Sequence, residues 1–509
     1  MSASASLAGG LPRLSRRTFL RRALALGGGF AAASLLAACG GAAPSAAPTS
    51  APAAAPPTSA PAPTQPAAAA PTAAAAPTRA PATAATSAPA AAGTAAPAAL
   101  KPANISFMVW SYSIETIQDN IKNFQQRYPG VTVKLQDFSW FDYHDVMAAR
   151  FVSGGAPDVA YSSDHWLQEW VAANWIVPLD EKYPPFKNYE SEFAPYALQG
   201  MTLNGKLYGL PYYSDLLIYF YNADHAKKAG FDAPPQTWDE VKQQAQAIKE
   251  KGIAEFPLNI PLKKDDPWTI EIIYSLVYSE GGHMFDDQNQ PLFNKPGSEA
   301  EKVLQWLHDA MNTWKILNPA SPEVAEPDVV KALGEGQSSA TVLAKYNLAA
   351  VNTAESPQKG KFKMALMPGS THSTVGFARF YTLTKAAVDR GPDVTNAAIR
   401  FLEYFGGKTD GQYIVQKRWA LEKGLGFAVL PLYDDPEVAA SINKWGDVAL
   451  EKQQAKLARV KEGLTPWWGT WDIFAREQMH NAITGSAKPA DALQAMASKW
   501  QELKTAYTG

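Results

Sequence analysis

All 15 tryptophans and all 48 acidic side chains of this 509-residue chain lie after Leu100. From Gly40 to Ala99 the sequence is Ala, Pro, Thr, Ser and Gly, interrupted only by Gln65 and Arg79. A stretch with so little apolar bulk cannot offset the entropy of ordering its own backbone. Folding is therefore confined to about 400 residues, more than one ordinary core holds and enough for two lobes of about 200 each. The folded body is expected to begin near Asn104. The recurrent prolines favour an extended tether, and about sixty residues at about 3.1 Å each would reach about 190 Å.

Ahead of the tether, Ser15, Arg16, Arg17, Thr18, Phe19, Leu20 and Arg21 precede an uncharged stretch from Ala23 to Ala38. Positive, then apolar, then small is the order of a signal peptide. The apolar stretch is shorter than the roughly 20 residues that a spanning helix needs. Ser-Arg-Arg-x-Phe-Leu resembles the bacterial twin-arginine export signal, and Leu36, Ala37, Ala38, Cys39 resembles a lipoprotein processing site. The resemblance implies that residues 1–38 are a removed leader, that residues 39–103 are a lipidated linker, and that lipid on Cys39 ties the protein to the outer face of the cell membrane. Cys39 is the only cysteine, so it has no partner for an internal disulfide. Without the five leader arginines the balance is 41 basic against 48 acidic groups. Acids and bases are interleaved with no basic stripe, which excludes nucleic acid as a partner.

Within the body, Ile105, Phe107 and Val109 alternate as a strand should. Ile114, Ile117, Ile121 and Phe124 then recur at helical spacing up to Pro129 and Gly130, and Val131, Val133 and Leu135 alternate again. Strand, helix, strand begins a parallel crossover, so the class is α/β. Further strands are expected at residues 158–163, 217–222, 256–261, 340–344, 362–367 and 378–384. Thr237 with Glu240, and Ser298 with Glu301, read as capping boxes at two helix starts.

Catalytic signatures are lacking. The seven histidines are scattered without a His-Glu-x-x-His pair, which leaves no metal site and no cofactor to expect. Gly406, Gly407, Lys408, Thr409 ends like a phosphate loop, but Leu402 stands where its leading glycine belongs. What remains is aromatic rings and carboxylates near strand ends: Trp110 and Tyr112; Asp164, His165 and Trp166; Tyr212, Tyr213, Ser214 and Asp215. Aromatic faces stack on the C–H faces of sugars, and carboxylates, amides and guanidinium groups pair with hydroxyls. Ligands of open α/β sheets bind beyond the carboxyl ends of strands.

Two stretches then resemble a known family. Gly154, Gly155, Ala156, Pro157, Asp158, Val159 leading to Trp175, Ile176, Val177, Pro178, Leu179, Asp180 is similar to the early signature of extracellular solute-binding proteins of ABC importers, the family with maltose- and oligosaccharide-binding members. Gly205, Lys206, Leu207, Tyr208, Gly209, Leu210, Pro211, then Tyr221, Asn222, then Ala229, Gly230, Phe231, then Pro235, Gln236, Thr237, Trp238, Asp239, Glu240 follows the same family's order. The resemblance implies a two-lobed periplasmic-binding-protein-like fold with a ligand cleft between lobes joined by hinge strands. Residues 104–214 plus 374–430 would form lobe 1, and 215–373 plus 431–509 lobe 2. It further implies a monomeric sugar receptor that delivers its ligand to membrane permease subunits and catalyses nothing. The ligand-binding residues carried over are Trp110, Tyr112, Asp164, Tyr213, Asp215, Trp268, Glu271, Tyr346, Asn347, Trp467 and Trp468. Arg379, on the returning hinge strand, joins them on chemical grounds. A secreted glycoside-processing enzyme and an anchored scaffold without a small ligand are the rival readings.

Overall fold

The computed structural model describes residues 100–353 and 355–508. Ten strands organise them: β1 (Ala103–Trp110), β2 (Val131–Phe138), β3 (Val159–Ser163), β4 (Thr202–Leu203), β5 (Lys206–Leu207), β6 (Leu210–Asn222), β7 (Ala340–Ala344), β8 (Phe362–Ala365), β9 (Thr374–Leu383) and β10 (Ala458–Arg459). The main sheet runs β2-β1-β3-β9-β6-β7, with β8 also on β6 and β10 on β9. β1 pairs in parallel with β2 from Ala103 opposite Val131 to Trp110 opposite Phe138, and β3 is parallel to β1. This is the expected crossover. β9 then returns antiparallel between β3 and β6.

β6 changes partner along its length. Leu210–Leu216 pair with β9, whereas Leu217–Tyr221 pair with β7 and Tyr219–Asn222 with β8. One strand thus carries the sheet from one set of neighbours to another, and the change falls beside Asp215. All ten residues of β9 and all but Tyr221 of β6 are buried. Strands covered on both faces read as continuous apolar runs, which makes Arg379 in the middle of β9 conspicuous.

Helices pack on both faces for the reasons their sequences give. In Ile114–Arg127, Ile117, Ile121 and Phe124 are buried on one stripe. Thr237 accepts the Glu240 backbone N–H at 3.2 Å, and Ser298 accepts that of Glu301 at 3.2 Å, so both caps form at the expected places. In Pro489–Thr508, Leu493, Met496, Ala497 and Trp500 enter the core. No helix among the described residues is long and apolar enough to cross a membrane.

Residues 256–261 are not the expected strand. Pro257 and Pro261 have no N–H to donate to a ladder, and only isolated parallel bridges form, from Leu258 to Leu317 and to Ala340. β6 and β9 are longer than expected, starting at Leu210 and Thr374, because burial on two faces removes the alternation that marks strand ends. The β4–β5 hairpin is additional. Its turn is Asn204 and Gly205, both left-handed at φ 52° and 71°, the pair that a tight hairpin turn favours.

Candidate functional site

Four charged side chains meet beside β9. Asp164 follows β3, and its backbone N–H donates to Ala378 of β9 at 3.1 Å. Arg379 lies in β9 opposite both Ser163 and Tyr213. Glu271 comes from the first turn of the helix Trp268–Ser279. Lys461 follows β10, in a loop pinned to that helix because Glu462 N–H donates to the Tyr278 hydroxyl at 2.9 Å.

Arg379 donates to Asp164 at 3.0 Å and to Glu271 at 3.3 Å, while Lys461 donates to Asp164 at 3.1 Å and to Glu271 at 2.6 Å. The two carboxylates and two cations alternate in a closed ring, and no side chain in it is more than 3 % exposed. Burial alone would raise the Asp164 carboxyl, but Lys461, the His165 hydrogen bond and Arg379 hold it well below the usual carboxylate range. Burial opposes the charge of Arg379 too, and Glu271 and Asp164 outweigh it. His165 accompanies the ring as a neutral imidazole, its pKa pushed down to about 4 by burial and by both cations against the pull of Asp164. Donor atoms of Asp164, His165 and Glu271 lie within 4.8 Å of one another, a spacing that suits a metal ion. Both carboxylates are already engaged by ammonium and guanidinium groups, so the donor set does not fit one.

An aromatic wall adjoins the ring. Trp110 stacks on Tyr112 at 5.3 Å and on Tyr213 at 6.3 Å, and meets Trp140 edge-on at 5.2 Å. Phe377 sits between Tyr213, at 6.1 Å, and Trp268, at 5.0 Å. The Arg379 guanidinium lies 4.6 Å from the Phe377 centroid and 5.6 Å from that of Trp140. The indole N–H of Trp110, the second oxygen of Glu271 and the Nε of Arg379 are buried without a protein partner. Aromatic faces beside unmatched polar atoms suit an amphipathic, hydroxyl-rich ligand.

A second group of acids borders the wall. The Tyr346 hydroxyl donates to Glu326 at 2.7 Å. Burial pushes the Glu326 carboxyl up to about 7, with Asp266 and Asp215 adding to the rise and Tyr346 and Asn347 opposing it. The amide of Asn347 also donates to Ala344 O at 3.1 Å. Asp215 is fully buried and accepts N–H groups from Leu216 at 2.8 Å and Gly426 at 3.2 Å. Its carboxyl is raised to about 7, mainly by burial, although Lys345 pulls it down. Lys345 is itself paired with Glu451 at 3.1 Å.

The structure therefore gathers Trp110, Tyr112, Asp164, Tyr213, Trp268, Glu271 and Arg379 around one place, with Asp215, Tyr346 and Asn347 at its border. It does not bring Trp467 or Trp468 there. Trp468 is buried against Tyr274 and Trp471, and Trp467 packs on Trp500 and Tyr507 of the last helix. Trp468 thus lies in the core beside the two C-terminal helices, and Trp467 is half-buried at its edge. Lys461, Glu326, Trp140 and Phe377 were not expected at the site. Glu326 opens the helix Glu326–Gly334, where an acid reads as a helix-dipole partner. Lys461 sits in the charged run Arg459, Val460, Lys461, Glu462, which reads as solvated surface.

The profile of the family described as bacterial extracellular solute-binding protein matches residues 110–412. A putative binding protein of Brucella abortus (strain 2308) is 25% identical over 246 residues, which are 48% of this chain and 58% of that protein. The chain thus aligns with little more than half the length of that relative. The lactose-binding protein of Rhizobium radiobacter is 25% identical over 291 residues, 54% of this chain and 65% of that protein. Among solved structures, maltose-bound MalE3 of T. maritima superposes with a TM-score of 0.68 at 20% identity, covering 79% of this chain and 99% of that one. A solute-binding protein of Agrobacterium radiobacter K84 in complex with ribitol gives 0.67 at 15% identity, covering 80% and 100%. At these identities the solved structures establish the two-lobed fold.

Proposed function

The chain belongs to the bacterial extracellular solute-binding protein family, and from that premise we propose that it is the sugar receptor of an ABC importer, closing on a mono- or oligosaccharide and handing it to permease subunits in the membrane. The observation that carries this reading is the convergence, where β6 changes partner, of an aromatic wall and buried polar groups from opposite sides of the hinge strands. Residues 104–214 plus 374–430 form the first lobe, and residues 215–373 plus 431–509 the second. The first contributes Trp110, Tyr112, Asp164, Tyr213 and Arg379. The second contributes Trp268, Glu271, Tyr346, Asn347 and, by this structure, Glu326 and Lys461. Asp215 braces the hinge through its two backbone N–H bonds.

Ligand capture then has a physical course. A sugar face covers the Trp110 and Trp268 rings, and its hydroxyls replace part of the ring of charges as partners of Asp164, Glu271 and Arg379. Closure is favoured only by contacts that both lobes make at once. Replacing Trp268 by Ala removes one such contact and should weaken saccharide binding by about 1–3 kcal/mol, read by calorimetry across a panel of neutral saccharides. Parent-like affinity of Trp268→Ala for every bound sugar would falsify the cleft assignment.

A glycoside-processing enzyme needs one carboxyl able to donate a proton. Asp164 is held ionised by its cations and does not suit that role; Asp215 and Glu326, both raised to about 7, are the bordering carboxyls that such an enzyme would have to use. Recovery of the unaltered saccharide after incubation tests the point. The receptor works as a monomer tied to the membrane through lipid on Cys39. Cys39→Ala is expected to leave sugar affinity unchanged and to move the protein from the membrane fraction to the medium. Retention in the membrane fraction would contradict the anchor.

A further inference from the structure

A second concavity lies away from the hinge, at the opposite end of the helix that carries Glu271. It has a volume of about 480 Å³ and is walled by Trp238 and Asp239, by Glu280, and by Glu299, Lys302 and Trp306. That volume is within the range of small-molecule sites, about 300–1,000 Å³. Glu271 and Glu280 are nine residues apart on and just beyond the helix Trp268–Ser279, which separates them by about 13 Å along its axis.

The walls are fixed in place. Trp238 follows the Thr237 cap, and its indole N–H donates to Ser279 at 3.0 Å. Trp306 meets Trp238 edge-on at 5.2 Å and Trp314 edge-on at 5.8 Å, so three indoles form a row. The far end of the row already carries a cation: the Lys242 ammonium lies 3.9 Å from the Trp314 centroid. In the middle of the row the indole nitrogen of Trp306 is buried without a partner.

Charge at the near end is unbalanced. Lys302 pairs with Glu299 at 3.2 Å. Neither Asp239 nor Glu280 has an ion-pair partner among the described residues. Burial, then Asp239, then Glu299 raise the Glu280 carboxyl above its ordinary range, and Lys302 only partly offsets them. Two unpaired carboxylates beside an indole row attract a cation, because ring faces and carboxylates both stabilise positive charge.

We infer that this concavity is a second ligand site, separate from the sugar cleft, which takes a small organic cation by placing a guanidinium or ammonium group between Asp239 and Glu280 and its body on Trp306. Agmatine is a suitable probe, with the uncharged N-butylurea as its control. Calorimetry at low ionic strength on the sugar-free protein should show saturable agmatine binding and none for N-butylurea. The Asp239→Asn, Glu280→Gln double variant and Trp306→Ala should each weaken agmatine at least tenfold, and Trp268→Ala should leave it unchanged. Urea midpoints check that each variant is folded, and Glu280→Gln alone, which preserves shape, stands in if Trp306→Ala is not. Absence of saturable agmatine binding, equal binding by the double variant, or loss of binding in Trp268→Ala would overturn the site. Its failure leaves the sugar-receptor reading intact, since that reading is tested by saccharides on the cleft variants.

Discussion

Glu326 shows how a single side chain couples stability to pH. Its carboxyl moves from 4.5 to about 7 in the folded protein because burial, and the nearby Asp266 and Asp215, disfavour its charge more than Tyr346 and Asn347 support it. Between those two values the folded state holds a proton that the unfolded state has released. Stability from this group is therefore greatest below pH 4.5 and declines as pH rises towards 7. Gln at position 326 cannot titrate, yet its amide oxygen can still accept from Tyr346. We expect Glu326→Gln to gain stability relative to the parent as pH rises from about 4.5 to 7, and then to hold a constant difference. Urea denaturation at several pH values measures it, and parallel curves for the two proteins would refute the assignment. Asp164 works in the opposite direction, since stability from a depressed carboxyl is full above its unfolded value and is lost as pH falls from there towards the lower folded value.

At the scale of elements, the fold depends on how closely the segment after β9 approaches the middle of β6. A β-carbon on Gly426 would lie 2.4 Å from Ser214 O and 2.6 Å from the Asp215 carboxyl carbon. Backbone cannot yield as a flexible side chain does, so Gly426→Ala should cost on the order of 1–3 kcal/mol by overpacking. A lower urea midpoint is the expected result, and an unchanged midpoint would show that β6 yields without strain. Nothing in the sequence around Gly426 announces that approach, because it is created by two segments more than 200 residues apart in the chain. Local signals fared differently. The strand-helix-strand opening, both Ser/Thr caps and Cβ-periodic stripes such as Ile117, Ile121, Phe124 were legible because each depends on neighbours within a few residues. Asp164, Glu271 and Arg379 were legible as candidates from strand-end position, family likeness and chemistry. Their union through Lys461 was not, since a lysine in a charged run looks solvated until the fold buries it. Where Trp467 and Trp468 sit was not legible for the converse reason: aromatic residues serve cores as readily as clefts, and the packing of Trp468 on Trp471 and Tyr274 and of Trp467 on Trp500 is set by the fold.

For the whole molecule, the ring of charges bears on how the proposed lobes move. Buried ion pairs contribute little net stability compared with apolar packing, but removing one partner strands its mates and costs about 3–5 kcal/mol. On the proposed division of the lobes, Asp164 and Lys461 lie on opposite sides and meet at 3.1 Å, and Arg379 and Glu271 do likewise at 3.3 Å. Opening of the proposed cleft must break both contacts. Both are made between protein groups alone, so they favour approach of the lobes whatever the ligand, and a ligand needs to supply only the remaining preference for closure. Lys461→Met keeps most of the side chain's bulk and removes its charge. Asp164 and Glu271 then repel each other across the gap with Arg379 alone to compensate. Small-angle scattering of the sugar-free variant should give a larger radius of gyration than the parent, and a saturating saccharide should return it to the parent's value. Equal sugar-free radii for the two proteins would mean that the ring stabilises the interior without governing closure.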